Sequence, residues 1–418
     1  LTKTDQTLTR NLHKQETPMS IKRRTFLTGA AGLATAGLIG APAIAQARRV
    51  TIGLTMVKSG PLKTPGEATE TSVEIAVEEI NARGGIAGMP INLVKFDTGS
   101  DPRQAATATQ KFAQDDNALA IIGPFSSGEA RVAFPVGERL GIVQMPNAAS
   151  LPGLTQNFTY AFRLTEDEGK QFGRLLTTLE RRNIAFRRAE ILFISDEVVS
   201  NATATGLYPA LLRARNIQFG EPVSFQYRTF DVAPQISQIM QRNPDVVALA
   251  ASPDGANKAL KELQRQGFRG RVIGSQIFAD PNAVENFGPE GNGMIIVAGF
   301  WWDRNDATRS FTQKYAAENA RRGLTTKKIP HHTDAQGYDT VYLMKQVMEM
   351  ARITADPARL AAERTAIRDA MRGVRFTGVT GENTCFDAQR DAELPGFIVE
   401  IQNMQWRLFD THNADTCA

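Results

Sequence analysis

Three short runs of small and polar residues follow β-branched stretches in the first part of this chain, and each could grip a small ligand. The first is Gly123-Pro124-Phe125-Ser126-Ser127-Gly128, after the stretch ending at Ile122. It puts Ser126 or Ser127 at the N-cap of the helix that follows. A helix start offers free backbone N–H groups and the positive end of the macrodipole, which suits a carboxylate. The same serines would also cap the helix, and one residue can do both. The second run is Pro146-Asn147-Ala148-Ala149-Ser150, where small side chains let a ligand approach the backbone and Ser150 adds a hydroxyl. The third, Val57-Lys58-Ser59-Gly60-Pro61, offers Ser59 and could be an ordinary turn, which is the favoured reading for Lys58.

No catalytic constellation accompanies these runs. The chain has no Gly-x-Ser-x-Gly elbow, His-Glu-x-x-His pair, phosphate loop or dinucleotide fingerprint, so binding is favoured over catalysis and no cofactor is expected. His331-His332 invites a metal reading, but adjacent histidines point apart and no third ligand is apparent, so no metal is expected. Phe300-Trp301-Trp302 could stack on an aromatic ligand or pack at a chain crossing. The only cysteines, Cys385 and Cys417, are expected to pair as a disulfide that pins the C-terminal tail. Closing that loop is worth about 3 kcal/mol in the chain-entropy picture.

The elements that must position these residues alternate regularly. Strand signals at 50–56, 91–97, 118–122 and 142–145 are separated by helix signals at 66–82, 101–114 and 129–138. The pattern resumes with helices at 169–182, 203–215, 233–242 and 257–266, and with strands at 188–195, 222–227, 245–250, 272–274 and 293–298. Helices at 306–322, 336–353 and 360–371 follow, and strands near Phe376 and over 397–409 close the chain. Short strands separated by long helices imply parallel β-α-β units. Two such runs in tandem give an α/β fold of two doubly wound lobes. Ligands bind beyond the carboxyl ends of such strands, where all three runs lie.

The beginning of the chain sets the compartment. Lys22-Arg23-Arg24-Thr25-Phe26-Leu27, an uncharged Gly- and Ala-rich run and Ala45-Gln46-Ala47 form the layout of a twin-arginine export signal. Cleavage is expected after Ala47, or failing that after Ala45, and the stretch before Met19 reads as untranslated or artefactual. The leader 1–47 holds six Lys/Arg and two Asp/Glu, which leaves 42 of each in the remainder. The basic balance therefore belongs to the leader, and the mature surface gives no footprint for nucleic acid or anionic lipid. After signal cleavage no direct membrane insertion is expected.

A set of motifs then carries a resemblance. Ile52-Gly53-Leu54, Ser59-Gly60-Pro61, the block from Ala76 to Gly88 (Ala-Val-Glu-Glu-Ile-Asn-Ala-Arg-Gly-Gly-Ile-Ala-Gly), Asp101-Pro102, Ile122-Gly123-Pro124, Leu154-Thr155, Phe162-Arg163, Pro244-Asp245-Val246-Val247 and Tyr338-Asp339-Thr340-Val341-Tyr342 occur in order. Together they resemble the periplasmic solute-binding proteins of branched-chain amino-acid ABC importers, the leucine/isoleucine/valine-binding type, over about Val50 to Phe409. The resemblance implies a type I periplasmic binding fold with three hinge crossovers and a ligand cleft between lobes. It divides the chain into an N-lobe (48–163 with 299–375) and a C-lobe (164–298 with 376–418). It implies capture of a branched-chain amino acid or a related aliphatic or aromatic acid, and delivery to an inner-membrane permease and its ATPase. A ligand-sensing receptor of the same fold, or a Tat-exported α/β enzyme, are the other readings. Ser127, Ala149 and Ser150 match the family's carboxylate site. The second lobe departs from it: Ser200 and Ser252 stand where aromatics are expected, and Gln276 aligns with the acid that pairs with the ligand ammonium. Asp196 or Asp254 would have to substitute, or the ligand is not an α-amino acid.

Overall fold

The computed structural model describes residues 48–60, 62–274 and 276–414; the expected export signal and Cys417 lie outside them. The first half alternates as expected: β1 (Val50–Met56), α1 (Lys63–Ala82), β2 (Ile91–Asp97), α2 (Pro102–Gln114), β3 (Ala120–Ile122), α3 (Ser127–Leu140) and β4 (Val143–Met145). These strands form a parallel sheet in the order β2-β1-β3-β4. Because β1 lies between β2 and β3, the order reverses there and opens a crevice beyond the β1 and β3 ends. The turn at that crevice requires glycine: Gly123 has φ +121°, and a β-carbon on it would lie 1.9 Å from Thr55 Oγ1.

The chain continues through α4 (Glu168–Arg181), β5 (Arg188–Ile194), α5 (Val198–Ala202), a wide π-type turn (Thr203–Leu207) and α6 (Tyr208–Arg213). Then come β6 (Gln218–Phe219), β7 (Val223–Phe225), α7 (Ala233–Met240), β8 (Val246–Ala250), α8 (Pro253–Arg265), β9 (Arg271–Gly274), α9 (Val284–Phe287) and β10 (Ile295–Ala298). Three helices follow, α10 (Asp306–Arg321), α11 (His332–Met350) and α12 (Leu360–Gly373), and the hairpin β11 (Gly396–Gln402) and β12 (Gln405–His412) ends the fold. The second sheet runs β12-β11-β10-β9-β8-β5-β6, with β7 also on β5; β11 pairs antiparallel with both its neighbours and the rest are parallel. Alternation along its strands fills both faces. Leu192, Ile194, Leu249 and Ile296 enter one core while Ile191, Phe193, Ala248 and Ile295 enter another.

The chain passes between the first core and these two at three places. Leu164 still belongs to the first core and Phe172 to the second sheet's; Ala298 and Phe300 fall on opposite sides, and so do Leu394 and Phe397. The segment 376–394 departs from the expected division. Phe376, Val379, Phe386, Ala392 and Leu394 pack in the first core, and Phe386 meets Phe162 edge-on at 5.2 Å. The cause is a long-range ion pair. Arg163, fully buried, donates from Nε and Nη2 to the two carboxylate oxygens of Asp391 at 2.6 and 2.5 Å. Backbone bonds Arg163 N–H to Arg390 O and Ala392 N–H to Arg163 O flank it. Burial alone would lower the guanidinium pKa, but Asp391 and Asp167 outweigh it and raise the value.

Removing one partner of such a buried pair strands the other charge. Arg163→Met should lower the unfolding free energy by about 3–5 kcal/mol, read by urea denaturation. A loss below about 1 kcal/mol, the ordinary worth of an exposed pair, would show that Arg163 does not hold the crossings.

Candidate functional site

Helix α3 is built to present its first turn. Ser126 caps it, its Oγ accepting from Glu129 N–H at 3.3 Å, while Ser126 N–H and O–H donate to Glu129 Oε2 at 2.9 and 2.7 Å. That reciprocal box uses Ser126 fully. Ser127 is buried, and its Oγ accepts from Leu151 N–H at 3.2 Å, which leaves its own hydroxyl proton uncommitted. Ala149 is buried with its carbonyl bound by Arg163 Nη1 at 3.0 Å, and the same nitrogen holds Leu151 O at 2.8 Å. Ser150 donates to Glu168 Oε1 at 2.9 Å and accepts Glu168 N–H at 3.0 Å, so it joins the β4 loop to the first turn of α4. Ser59 is exposed on the loop after β1.

On the second sheet, Ser200, Ser252 and Gln276 follow β5, β8 and β9, three adjacent strands. Ser200 is fully buried; its N–H donates to Glu197 Oε2 at 2.6 Å, and its Oγ has no protein partner. Ser252 caps α8, accepting Gly255 N–H at 3.3 Å. Gln276 is buried, donates from Nε2 to Glu166 O at 2.9 Å, and keeps Oε1 without a partner. Thr55 Oγ1, Asn147 Oδ1 and Thr203 Oγ1 are likewise buried without a hydrogen bond. Buried polar atoms are ordinarily paired, and these stand at the carboxyl edges of both sheets.

A cavity of about 920 Å³ opens where α3 and the loop after β4 face α5 and the turn beyond it. Leu151, Pro152, Leu154 and Phe158 line one wall, and Val198, Ala202 and Leu207 the other. The eight predicted residues are not among its lining residues; their neighbours are, Leu151 beside Ser150, and Val198 and Asn201 around Ser200. Helical spacing was the signal for one missed residue. Arg131 lies four positions after Ser127, hence one turn along the same face. Its exposed guanidinium has no ion-pair or hydrogen-bond partner among the described residues, while Asp196 and Glu197 line the opposite wall.

Beside the second crossing the two halves are fastened. Lys327 pairs with Asp280, and Asn282 accepts from Lys328 and Ile329 N–H at 3.0 and 2.9 Å and donates to Ile329 O at 2.6 Å. His331 and His332 lie here, and their rings do not point apart: centroids are 4.0 Å from one another, because His331 is the extended N-cap of α11 and folds back. Burial holds His331 at about 4, so it is neutral at ordinary pH. Among the described residues no group of three ligands could hold a metal. Trp301 and Trp302 pack against each other, tilted by 38° with ring centroids 4.1 Å apart, at this crossing, Trp301 lining a second cavity of about 640 Å³ with Phe397 and Leu408. Cys385 is buried; its expected partner Cys417 lies outside the described residues.

Glu166, just past the first crossing, is fully buried. Desolvation pushes its carboxyl up to about 7 despite Arg174 and Lys170 nearby. A raised acid favours the folded state while protonated, so its contribution is complete below the unfolded value of 4.5 and is lost as pH rises to about 7. Melting temperatures of the parent and Glu166→Gln from pH 4.5 to 7.5 should show that component of decline in the parent and its absence in the variant. Parallel profiles would refute it.

A family model described as periplasmic binding protein matches residues 49–405. A Leu/Ile/Val-binding protein of Escherichia coli K12 is 23% identical over 305 residues, covering 72% of this chain and 79% of that protein. The solute-binding protein of an ABC transporter from R. palustris, solved with benzoate, superposes with a TM-score of 0.75 at 19% identity, covering 88% of this chain and 98% of that one. The branched-chain amino acid transporter substrate-binding protein LivJ of Streptococcus pneumoniae, solved with isoleucine, gives 0.73 at 21% identity, with 87% and 99% covered.

Proposed function

The chain belongs to the periplasmic binding protein family, and we propose that it captures a small carboxylate outside the cytoplasm and delivers it to an ABC importer. The observation that carries this reading is the set of uncommitted polar groups at the facing strand ends. The Ser127 hydroxyl proton and the Ser200 and Gln276 oxygens have no protein partner, though their residues are buried. The first core, with the segment to Leu394, forms one lobe and the second sheet with its two cores the other; the crossings act as the hinge. A ligand that touches both lobes supplies the differential affinity for the closed form.

Ser127 donates to the carboxylate from the start of α3, where the helix dipole adds to the attraction. Gln276 stands where the resemblance implies an acid, and a buried ammonium without a counter-charge is costly. The ligand body at that position is therefore neutral or aromatic, in keeping with the benzoate held by the R. palustris neighbour. Export follows the twin-arginine route from Arg23-Arg24, and no helix among the described residues is long and apolar enough to cross a membrane.

A thermal-shift screen of aliphatic amino acids, aromatic acids, keto acids and short amides tests the reading. Ligand at a hundredfold excess over its Kd adds about 2.7 kcal/mol. Ser127→Ala should weaken the best acid by roughly ten- to a hundredfold, the worth of a hydrogen bond to a charged group, with the fold intact. No response from any carboxylate would end the proposal. Cys385 and Cys417 are joined in the exported protein: thiol reagents should label neither in denaturant until a reductant is added, and labelling before reduction would rule out the bond.

A further inference from the structure

The charges around the larger cavity are arranged by wall. Arg131 belongs to α3 and the first lobe; Asp196 and Glu197 follow β5 in the second. No ion pair joins any of the three to another residue among those described. Asp196 accepts Tyr227 N–H at 2.7 Å, and Glu197 accepts Val199 and Ser200 N–H at 3.0 and 2.6 Å. These bonds hold both carboxylates in place and leave their charge without a cationic partner. Between the charged walls the lining is apolar, with Leu151, Pro152, Leu154 and Phe158 opposite Val198 and Leu207. Behind the second wall, between the lining residues Val198 and Asn201, lies the fully buried and unpartnered Ser200 Oγ.

We infer that the ligand is an elongated zwitterion: a carboxylate, an apolar body, and a cationic group at the far end. This rests on the capture reading and adds the ligand's second pole. Arg131, one turn beyond Ser127 on the same face, supplies the charge that the Ser127 hydroxyl lacks. The cationic end lies against Asp196 and Glu197 at the other wall. A branched-chain α-amino acid carries its carboxylate and ammonium on the same carbon, so its two charges cannot be divided between the walls. Gln276 agrees, since the counter-charge it lacks stands at the mouth instead. At about 920 Å³ the cavity is near the upper end of the range for drug-sized ligands, about 300–1,000 Å³, which leaves room for a spacer. Placing the poles on different lobes also means that neither lobe alone satisfies the ligand, so binding and closure become one event.

Calorimetric titration of the full exported chain separates the possibilities. The probes are 4-aminobutanoate, 6-aminohexanoate and 8-aminooctanoate, each against the parent fatty acid, with leucine alongside. At least one ω-amino acid should bind about tenfold or more tighter than its parent acid and than leucine. Asp196→Asn should remove that advantage while leaving the parent acid's affinity within about threefold. Arg131→Gln, at an exposed position that does not threaten folding, should weaken both members of the pair by about tenfold or more. Fatty acids that bind with Ser127-dependent affinity but gain nothing from the amine would overturn this inference and leave carboxylate capture standing. An advantage that survives Asp196→Asn would overturn it too, and failure of every acid to bind would overturn both.

Discussion

One buried guanidinium organises this molecule. Arg163 sits where the chain first leaves the first core, and it binds Asp391 from the third crossing, Asp167 at the cap of α4, and the carbonyls of Ala149 and Leu151 in the loop beside the cavity. A fully buried cation is tolerated only when its donors are matched, and here the five bonds come from three separate stretches of chain. Moving any of those stretches alone would strand part of the charge. The loop that carries Ser150 is therefore tied to the first and third crossings, although it has little secondary structure of its own.

The same economy shapes the wall around the ligand region. Ser126 and Glu129 are used up on the helix start, and Thr98 is bonded to the other Glu129 oxygen. Ser150 is spent on Glu168, which leaves Ser127 as the hydroxyl free to donate. Of two serines adjacent in sequence, Ser126 is thus committed to the cap while Ser127 keeps its hydroxyl proton. The alternatives that a helix start leaves open are separated by which oxygen the helix itself consumes.

Much of this was legible beforehand. The strand and helix alternation emerges from apolar periodicity and from glycines such as Gly84-Gly85 at the end of α1, and the positions of the loops at the strand ends follow from it. The misses have physical causes. α11 starts at His332, before the expected Gln336, because Thr333 and Asp334 are buried through bonds to Thr69 and Tyr315, and polar burial leaves no apolar pattern. β6 is two residues long and largely exposed, too short for any period to register. The helix expected from Thr203 begins at Val198, capped by Glu197, and a π-type turn interrupts the helical phase. Residues 376–394 return to the first core through Asp391, a partner more than two hundred positions away from Arg163. Helical spacing places Arg131 one turn after Ser127, but an exposed arginine gains meaning only from the acidic residues on the opposing wall.

The fastening of Asn282 and Asp280 onto residues 327–329 has a mechanical corollary. Shear between the two halves would tear four directed bonds at that flank, whereas no hydrogen bond joins α3 to α5 among the described residues. Freedom is thus unequal around the perimeter: one edge behaves as a spine, the other as a fore-edge. Any relative movement of the two halves would be a swing about that spine, as the covers of a book move.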